Sequence, residues 1–190
     1  SRLLALLLLL LPLPANADDF SDAVAAYADA NYEKAYQLWR PLAESGDAGA
    51  MFDLGVLYWE GQGIPRNRPL AIQWWQRAAQ QDVAAAQYNL GVMYGDGEGV
   101  PQDDEEAVRW YRLAADQGNA KAQRNLGLMY AGNLDNADFM AEAYKWIRMA
   151  SEQGYDAAQS NLGVIYLGGY GVPINYVQAY MWLILAAAQG

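Results

Sequence analysis

Residues Ala86 to Gly118 read AQYNLGVMYGDGEGVPQDDEEAVRWYRLAADQG, and this stretch decides the fold. Ala86, Leu90 and Tyr94 fall at i, i+4 and i+8, the spacing of one face of an α-helix (helix A). The run then enters a loop with glycine at every second position, Gly95, Gly97 and Gly99, closed by Val100-Pro101. Glycine beyond the last apolar position ends a helix, because it enters the left-handed region without steric penalty. Asp103 next supplies a helix-capping side chain, which accepts a bond from an otherwise unpaired backbone N–H. Ala107, Trp110 and Ala114, at i, i+3 and i+7, line a second helix (helix B) that stops at Gln117-Gly118. The stretch reads helix, turn, helix.

The same arrangement recurs every 36 residues. Leu-Gly stands at 54–55, 90–91, 126–127 and 162–163. Tyrosine follows at 58, 94, 130 and 166, alanine at 71, 107, 143 and 179, and tryptophan at 74, 110, 146 and 182. The loop Gly97-x-Gly99-Val-Pro101 returns as Gly61-x-Gly63-Ile-Pro65 and as Gly169-x-Gly171-Val-Pro173. A phosphate-binding loop serves one ligand and carries Gly-Lys-Ser/Thr, which is missing here. A turn that stacks identical units must instead be present in each. A glycine inside helix A costs about 1 kcal/mol relative to alanine, and its recurrence implies that another helix approaches closely there. One helix pair cannot bury its apolar face, whereas stacked pairs can.

Composition narrows the function. The chain of 190 residues has no cysteine and no histidine, which leaves no disulfide, no Ser-His-Asp triad, no Cys-His pair and no ordinary zinc or haem site. The formal net charge is −10, a field that repels nucleic acid and anionic membrane surfaces. Residues 1–17, SRLLALLLLLLPLPANA, have the layout of a secretory signal peptide: a basic residue, an apolar run too short to span a bilayer, and an Ala-x-Ala site before Asp18. The expected location is therefore periplasmic or secreted, without membrane insertion after cleavage, and the remainder would carry −11, since the signal holds Arg2 and no acid. Asp103, Asp104, Glu105 and Glu106 lack the spacing and glycine of a calcium loop. As the first turn of a helix they are stabilised by its positive end.

The quoted segment resembles a Sel-1-like repeat, a relative of the tetratricopeptide repeat with a longer, glycine-containing inter-helix loop. The resemblance covers four units, 47–82, 83–118, 119–154 and 155–190, preceded at 18–46 by a partial repeat that keeps Asn31, Ala35 and Gly46 in phase. It implies an all-α, right-handed α/α solenoid. Two features depart from it. The third unit has AGNLDNADFM in place of the Gly-x-Gly-Val-Pro loop, with Phe139 in the cap column and Asp138 beside it as a substitute cap. The last unit ends in MWLILAAAQG with no polar outer face, which leaves room for further repeats or a partner at that edge.

The resemblance further implies a non-enzymatic scaffold that needs no cofactor and takes a protein or peptide partner on the concave helix-A surface. In consensus tetratricopeptide repeats an asparagine holds the bound peptide's backbone, and the column before Leu-Gly, Asp53, Asn89, Asn125 and Asn161, resembles it. An amide both donates and accepts, so it can bond any peptide unit. The alternative is that these residues bond helix ends inside the stack. The neighbouring column, Phe52, Tyr88, Arg124 and Ser160, varies, as a specificity-determining surface would. Trp59 has no aromatic counterpart in other units and is either a partner anchor or packed against the N-terminal segment. Two rivals stand beside this reading. One is a hydrolase or β-lactam-binding protein, as cysteine-rich relatives suggest, although no serine here begins Ser-x-x-Lys. The other is a purely structural spacer.

Overall fold

The computed structural model describes residues 17–132 and 136–189. Except for Ala17, which opens the first helix, the signal-peptide reading lies outside these residues. Ten helices follow one another, with no strand among the described residues: α1 (Ala17–Ala28), α2 (Tyr32–Ser45), α3 (Ala48–Glu60), α4 (Arg68–Ala79), α5 (Ala84–Asp96), α6 (Asp104–Asp116), α7 (Ala120–Ala131), α8 (Ala137–Glu152), α9 (Asp156–Gly168) and α10 (Tyr176–Ala187). The A helices are α3, α5, α7 and α9, and each B helix follows its A partner. Each helix packs chiefly on its neighbours in sequence, as a solenoid requires. The N-terminal segment forms a full pair, α1 and α2, whose Asn31 caps α2 by accepting from the Lys34 N–H.

The repeated columns are the core. Leu54, Leu90, Leu126 and Leu162 are fully buried, as are Ala71, Ala107, Ala143 and Ala179. The interior glycines do bring helices together, and the partner is helix B of the same repeat. A Cβ at Gly91 would lie 2.5 Å from Tyr111 Cδ1, one at Gly127 2.5 Å from Ile147 Cγ1, and one at Gly163 2.6 Å from Leu183 Cγ. At Gly55 it would run into the Trp75 indole.

The glycine loop is architectural, as its repetition implied. Gly61, Gly97 and Gly169 sit at φ +72°, +70° and +70° as helix terminators. The second glycine of each loop lies against the preceding B helix: a Cβ at Gly63 would meet the Tyr32–Glu33 backbone at 2.7 Å, and one at Gly171 the Met140 carbonyl at 2.6 Å. The third unit differs as expected, since Gly132 is right-handed at φ −62°. Its cap requires a correction. Neither Phe139 nor Asp138 caps α8; Asn136 does, accepting from the N–H groups of both. The helix starts before the cap column, because an earlier amide captures the free donors. Asp82, which replaces the B-helix terminal glycine, keeps a left-handed φ of +61°. Asp103 caps α6 as read, with three acids in the first turn.

A second periodic device was not anticipated. Gln87, Gln123 and Gln159 are buried. Each donates from Nε2 to a carbonyl near the end of the preceding B helix, Ala79, Ala115 and Ser151, at 3.1–3.3 Å. Each accepts at Oε1 from a glutamine at the end of its own B helix, Gln117, Gln153 and Gln189, at 2.7–3.1 Å. Each of these carbonyls also accepts the backbone N–H three residues on, from Asp82, Gly118 or Gly154, so the amide adds a second bond at the helix end and ties two repeats. Met51 replaces the amide in the first full unit, and Gln81 there reaches the Gly46 carbonyl at 3.2 Å. At the far end α10 carries no charged residue, and its Tyr176, Val177 and Tyr180 are 69–70% exposed.

Candidate functional site

The A helices project the Asp/Asn column and its neighbours onto one face, and the residues named there fall into two groups. In the first, Tyr88 and Asn89 of α5 form the wall between two cavities. One, of about 460 Å³, is bounded by Phe52, Asn119, Lys121 and Tyr155. The other, of about 310 Å³, is bounded by Val56, Trp59, Glu60 and Trp75. The Asn89 side chain has no hydrogen-bond partner among the described residues, so its amide is free to donate and accept. Tyr88 tilts against Tyr111 at 6.1 Å; burial, with Tyr155 and Asp96 nearby, raises its hydroxyl pKa, while the Arg124 charge works the other way.

In the second group the amides are engaged. Arg124 of α7 donates from Nε to Asn161 Oδ1 (2.9 Å) and from Nη1 to Asn125 Oδ1 (3.3 Å). Asn125 Nδ2 donates to the Tyr111 hydroxyl (3.2 Å), whose pKa burial pushes up to about 12. The asparagines therefore do not bond helix ends; that task belongs to the glutamines. Asn161 also borders a smaller cavity of about 220 Å³ with Leu128 and Val164.

Trp59 meets helix B of its own repeat. It tilts against Trp75 at 5.4 Å and lies under the Arg68 guanidinium, 4.5 Å from its centroid, with one side facing the cavity. The Trp59–Trp75 pair is possible because both lie in one repeat, on facing helices. Asp53 is half-buried, and burial, followed by the nearby Asp47 charge, raises its carboxyl to about 6. Asp47 is fixed in place as the α3 cap, accepting from the Ala50 N–H at 2.7 Å.

One column escaped the sequence reading. Val56, Val92, Leu128 and Val164 are apolar in all four units, yet Leu128 is 36% and Val164 51% exposed. They line the cavities beside the Asn column. Their signal was present as a 36-residue repetition, but apolar repetition by itself reads as core. No group of metal-ligating side chains occurs among the described residues, and no helix there is long and apolar enough to cross a membrane.

The comparisons with known proteins agree with this architecture. The Sel1 repeat family model matches residues 26–47, 48–83, 84–119, 120–155 and 156–190, which places a shorter match over the end of α1 and all of α2 before the four units and starts each unit one residue later. No curated protein matches the chain. A crystal structure of a protective antigen of uropathogenic Escherichia coli displaying an SLR fold is 42% identical with a TM-score of 0.77, covering 82% of this chain and 33% of that one. A Sel1 repeat protein from Oxalobacter formigenes is 33% identical with a TM-score of 0.81, covering 90% and 70%. An immunity protein from Pseudomonas aeruginosa is 26% identical with a TM-score of 0.59, covering 88% and 65%. The chain thus spans a third of the Escherichia coli antigen's length. With repeat matches over more than four-fifths of its residues and helices in the same register, the chain belongs to the Sel1 repeat family.

Proposed function

We propose that the protein is an exported, non-catalytic scaffold that binds a protein or peptide on the concave surface of its A helices. The observation that carries this reading is the apolar column Val56, Val92, Leu128 and Val164, half-buried on α3 and α5 and exposed on α7 and α9, which lines cavities beside Asn89 and Asn161. A repeating surface spends no apolar side chains on water without reason, and an amide in the same groove satisfies a polar backbone that must otherwise be desolvated at a cost. Serine chemistry finds no support. Ser151 is buried with Oγ donating to the Ile147 carbonyl, and Ser45 Oγ donates to the Leu42 carbonyl.

In vivo photocrosslinking tests the reading. A photoreactive amino acid at Leu128, on the A face, is compared with one at Lys145, on a B helix. Position 128 is expected to capture a discrete protein partner, in the envelope or secreted fraction, with the captured chain beginning at Asp18. Adducts that are the same at both positions, or none at position 128, overturn the groove. An unprocessed N-terminus in the cytosolic fraction overturns export.

A further inference from the structure

Among the described residues the A helices α3, α5, α7 and α9 carry two cations, Lys121 and Arg124, both on α7; the others lie on other helices or in loops, where Lys34, Arg66, Arg77 and Arg112 also lack an ion pair. Arg40, Arg68, Arg109, Lys145 and Arg148 each lie 2.7–3.9 Å from a carboxylate. Arg124 and Lys121 meet none among the described residues. Lys121 borders the larger cavity with Phe52, Tyr88 and Asn89, and Arg124 follows one turn later on α7. A guanidinium has five N–H donors. Arg124 spends two on Asn161 and Asn125, which orient it and leave three for a ligand. The two amides bring no negative charge, so the Arg124 charge is held in place but not neutralised.

The two features lie one A helix apart. Asn89, with the apolar cavities, is on α5, and the cations are on α7. Packed helices are about 8–10 Å apart, which an extended chain crosses in about three residues. Resting on the groove reading above, we propose that the A face selects an extended peptide segment carrying an apolar or aromatic side chain and, about three residues away, an acidic side chain. The first fills the space beside Tyr88 and Asn89; the second meets Arg124 and Lys121. The acid is a side chain and not a chain terminus, because the surface runs on past Arg124 to a further cavity bordered by Leu128, Asn161 and Val164.

Selection from a displayed library of random short peptides between Gly-Ser flanks tests the pairing. Immobilised protein is expected to enrich sequences with Asp or Glu about three residues from an aromatic or branched aliphatic residue. The variant R124E weakens a selected peptide about tenfold or more, since it replaces a charge-assisted hydrogen bond with like-charge repulsion. It also shifts enrichment toward Lys or Arg at the same spacing. Because Arg124 also ties Asn125 and Asn161, K121E is run alongside. Lys121 is exposed and holds nothing, and its reversal is expected to weaken the acidic peptide in the same direction with an unchanged melting curve. Amidating the chain end of the selected peptide leaves its affinity unchanged. Enrichment without acidic residues, equal affinity for the Asn/Gln form of the peptide, or loss of binding on amidation overturns the inference. Failure to enrich any peptide overturns it as well. In each case the groove itself still stands or falls by crosslinking at position 128.

Discussion

The first and last A-face segments obey one sequence pattern but end in different states. On α3 and α5 the polar column is free: the Asn89 side chain has no hydrogen-bond partner among the described residues, and Asp53 carries a carboxyl raised to about 6 by burial and by Asp47. On α7 and α9 the same column is tied together by one side chain, Arg124, bonded to Asn125 and Asn161. The packing beneath differs in parallel. Gly55 and Gly91 are closed by flat rings, Trp75 and Tyr111, whereas Gly127 and Gly163 are closed by aliphatic Ile147 and Leu183. A 36-residue column therefore fixes where a side chain goes, while its neighbours decide whether it is available.

The largest expected effect exploits that packing difference. Gly55→Ala and Gly163→Ala both gain helix propensity of about 1 kcal/mol, and both introduce a methyl into a filled site. At Gly55 the obstacle is a buried indole whose Nε1 donates to the Phe52 carbonyl at 3.1 Å, so it cannot swing aside without losing that bond. Overpacking of this kind costs about 1–3 kcal/mol, and a lost buried bond adds about 1–3 kcal/mol. A net destabilisation of about 2–3 kcal/mol is expected for G55A. At Gly163 the nearest obstacle is the half-buried Leu183, which can change rotamer, with the Ala179 carbonyl oxygen at 3.2 Å behind it, and a smaller net loss of about 1 kcal/mol is expected. Urea melts of the two variants check this. Equal losses show that the kind of neighbour does not matter.

How much of this was legible follows from what repetition records. Leu90, Gly91, Ala107 and Trp110 recur because packing dictates them, so the helix pairs, most caps and the close approach of another helix at the glycines were readable from spacing, though not which helix approaches. The Gln117 column recurs just as strictly and the Gln87 column is broken only by Met51, but an amide inside a helix carries no signal of burial until its partner is known to lie 30 residues away. Val92 and Leu128 were hidden for the opposite reason: an apolar repeat looks like core whether or not anything covers it. The α8 cap was misplaced by one turn of logic, since in a loop of altered sequence the competing Asn136 is seen only once the backbone is built. Arg124 was read as a surface contact, and its bond to Asn161, 37 residues on, depends on stagger between repeats that spacing does not contain.

A smaller effect probes the free half of the column. Asp53→Asn completes the amide ladder and removes the only acid in it. The folded-state pKa of about 6 lies above the ordinary value of 3.8, so the folded chain binds this proton more tightly than the unfolded chain. Above about pH 6 the charged carboxyl therefore lowers stability. As pH falls toward 3.8 the penalty fades, and below it both states are protonated. A two-unit rise corresponds to about 3 kcal/mol, which residual solvation around a half-buried group reduces to roughly 1–2 kcal/mol. D53N is thus expected to be more stable than the parent by roughly 1–2 kcal/mol at pH 7–8 and equal to it below about pH 4. Denaturant melts across that range decide it, and a pH-independent gain shows that the carboxyl is not desolvated.

The smallest effect concerns the tied half. Arg124→Ala removes two hydrogen bonds but leaves Asn125 and Asn161 on an open face where water replaces the guanidinium. The net worth of such bonds is about 0.5–1.5 kcal/mol each, and solvation of the freed oxygens lowers the total to about 1 kcal/mol or less. Electrostatics supplies a sharper readout. Tyr88 titrates high because it is buried and flanked by Tyr155 and Asp96, and the Arg124 charge opposes that rise. Removing the charge is expected to move the Tyr88 titration further upward, followed by NMR of ring-labelled tyrosine, while Tyr58 and Tyr166, each already pushed up to about 12 by burial, stay where they are. If R124A instead costs more than about 2 kcal/mol and leaves Tyr88 unmoved, the guanidinium is a structural bolt between α7 and α9, and the contrast between a free and a tied half of the groove loses its meaning.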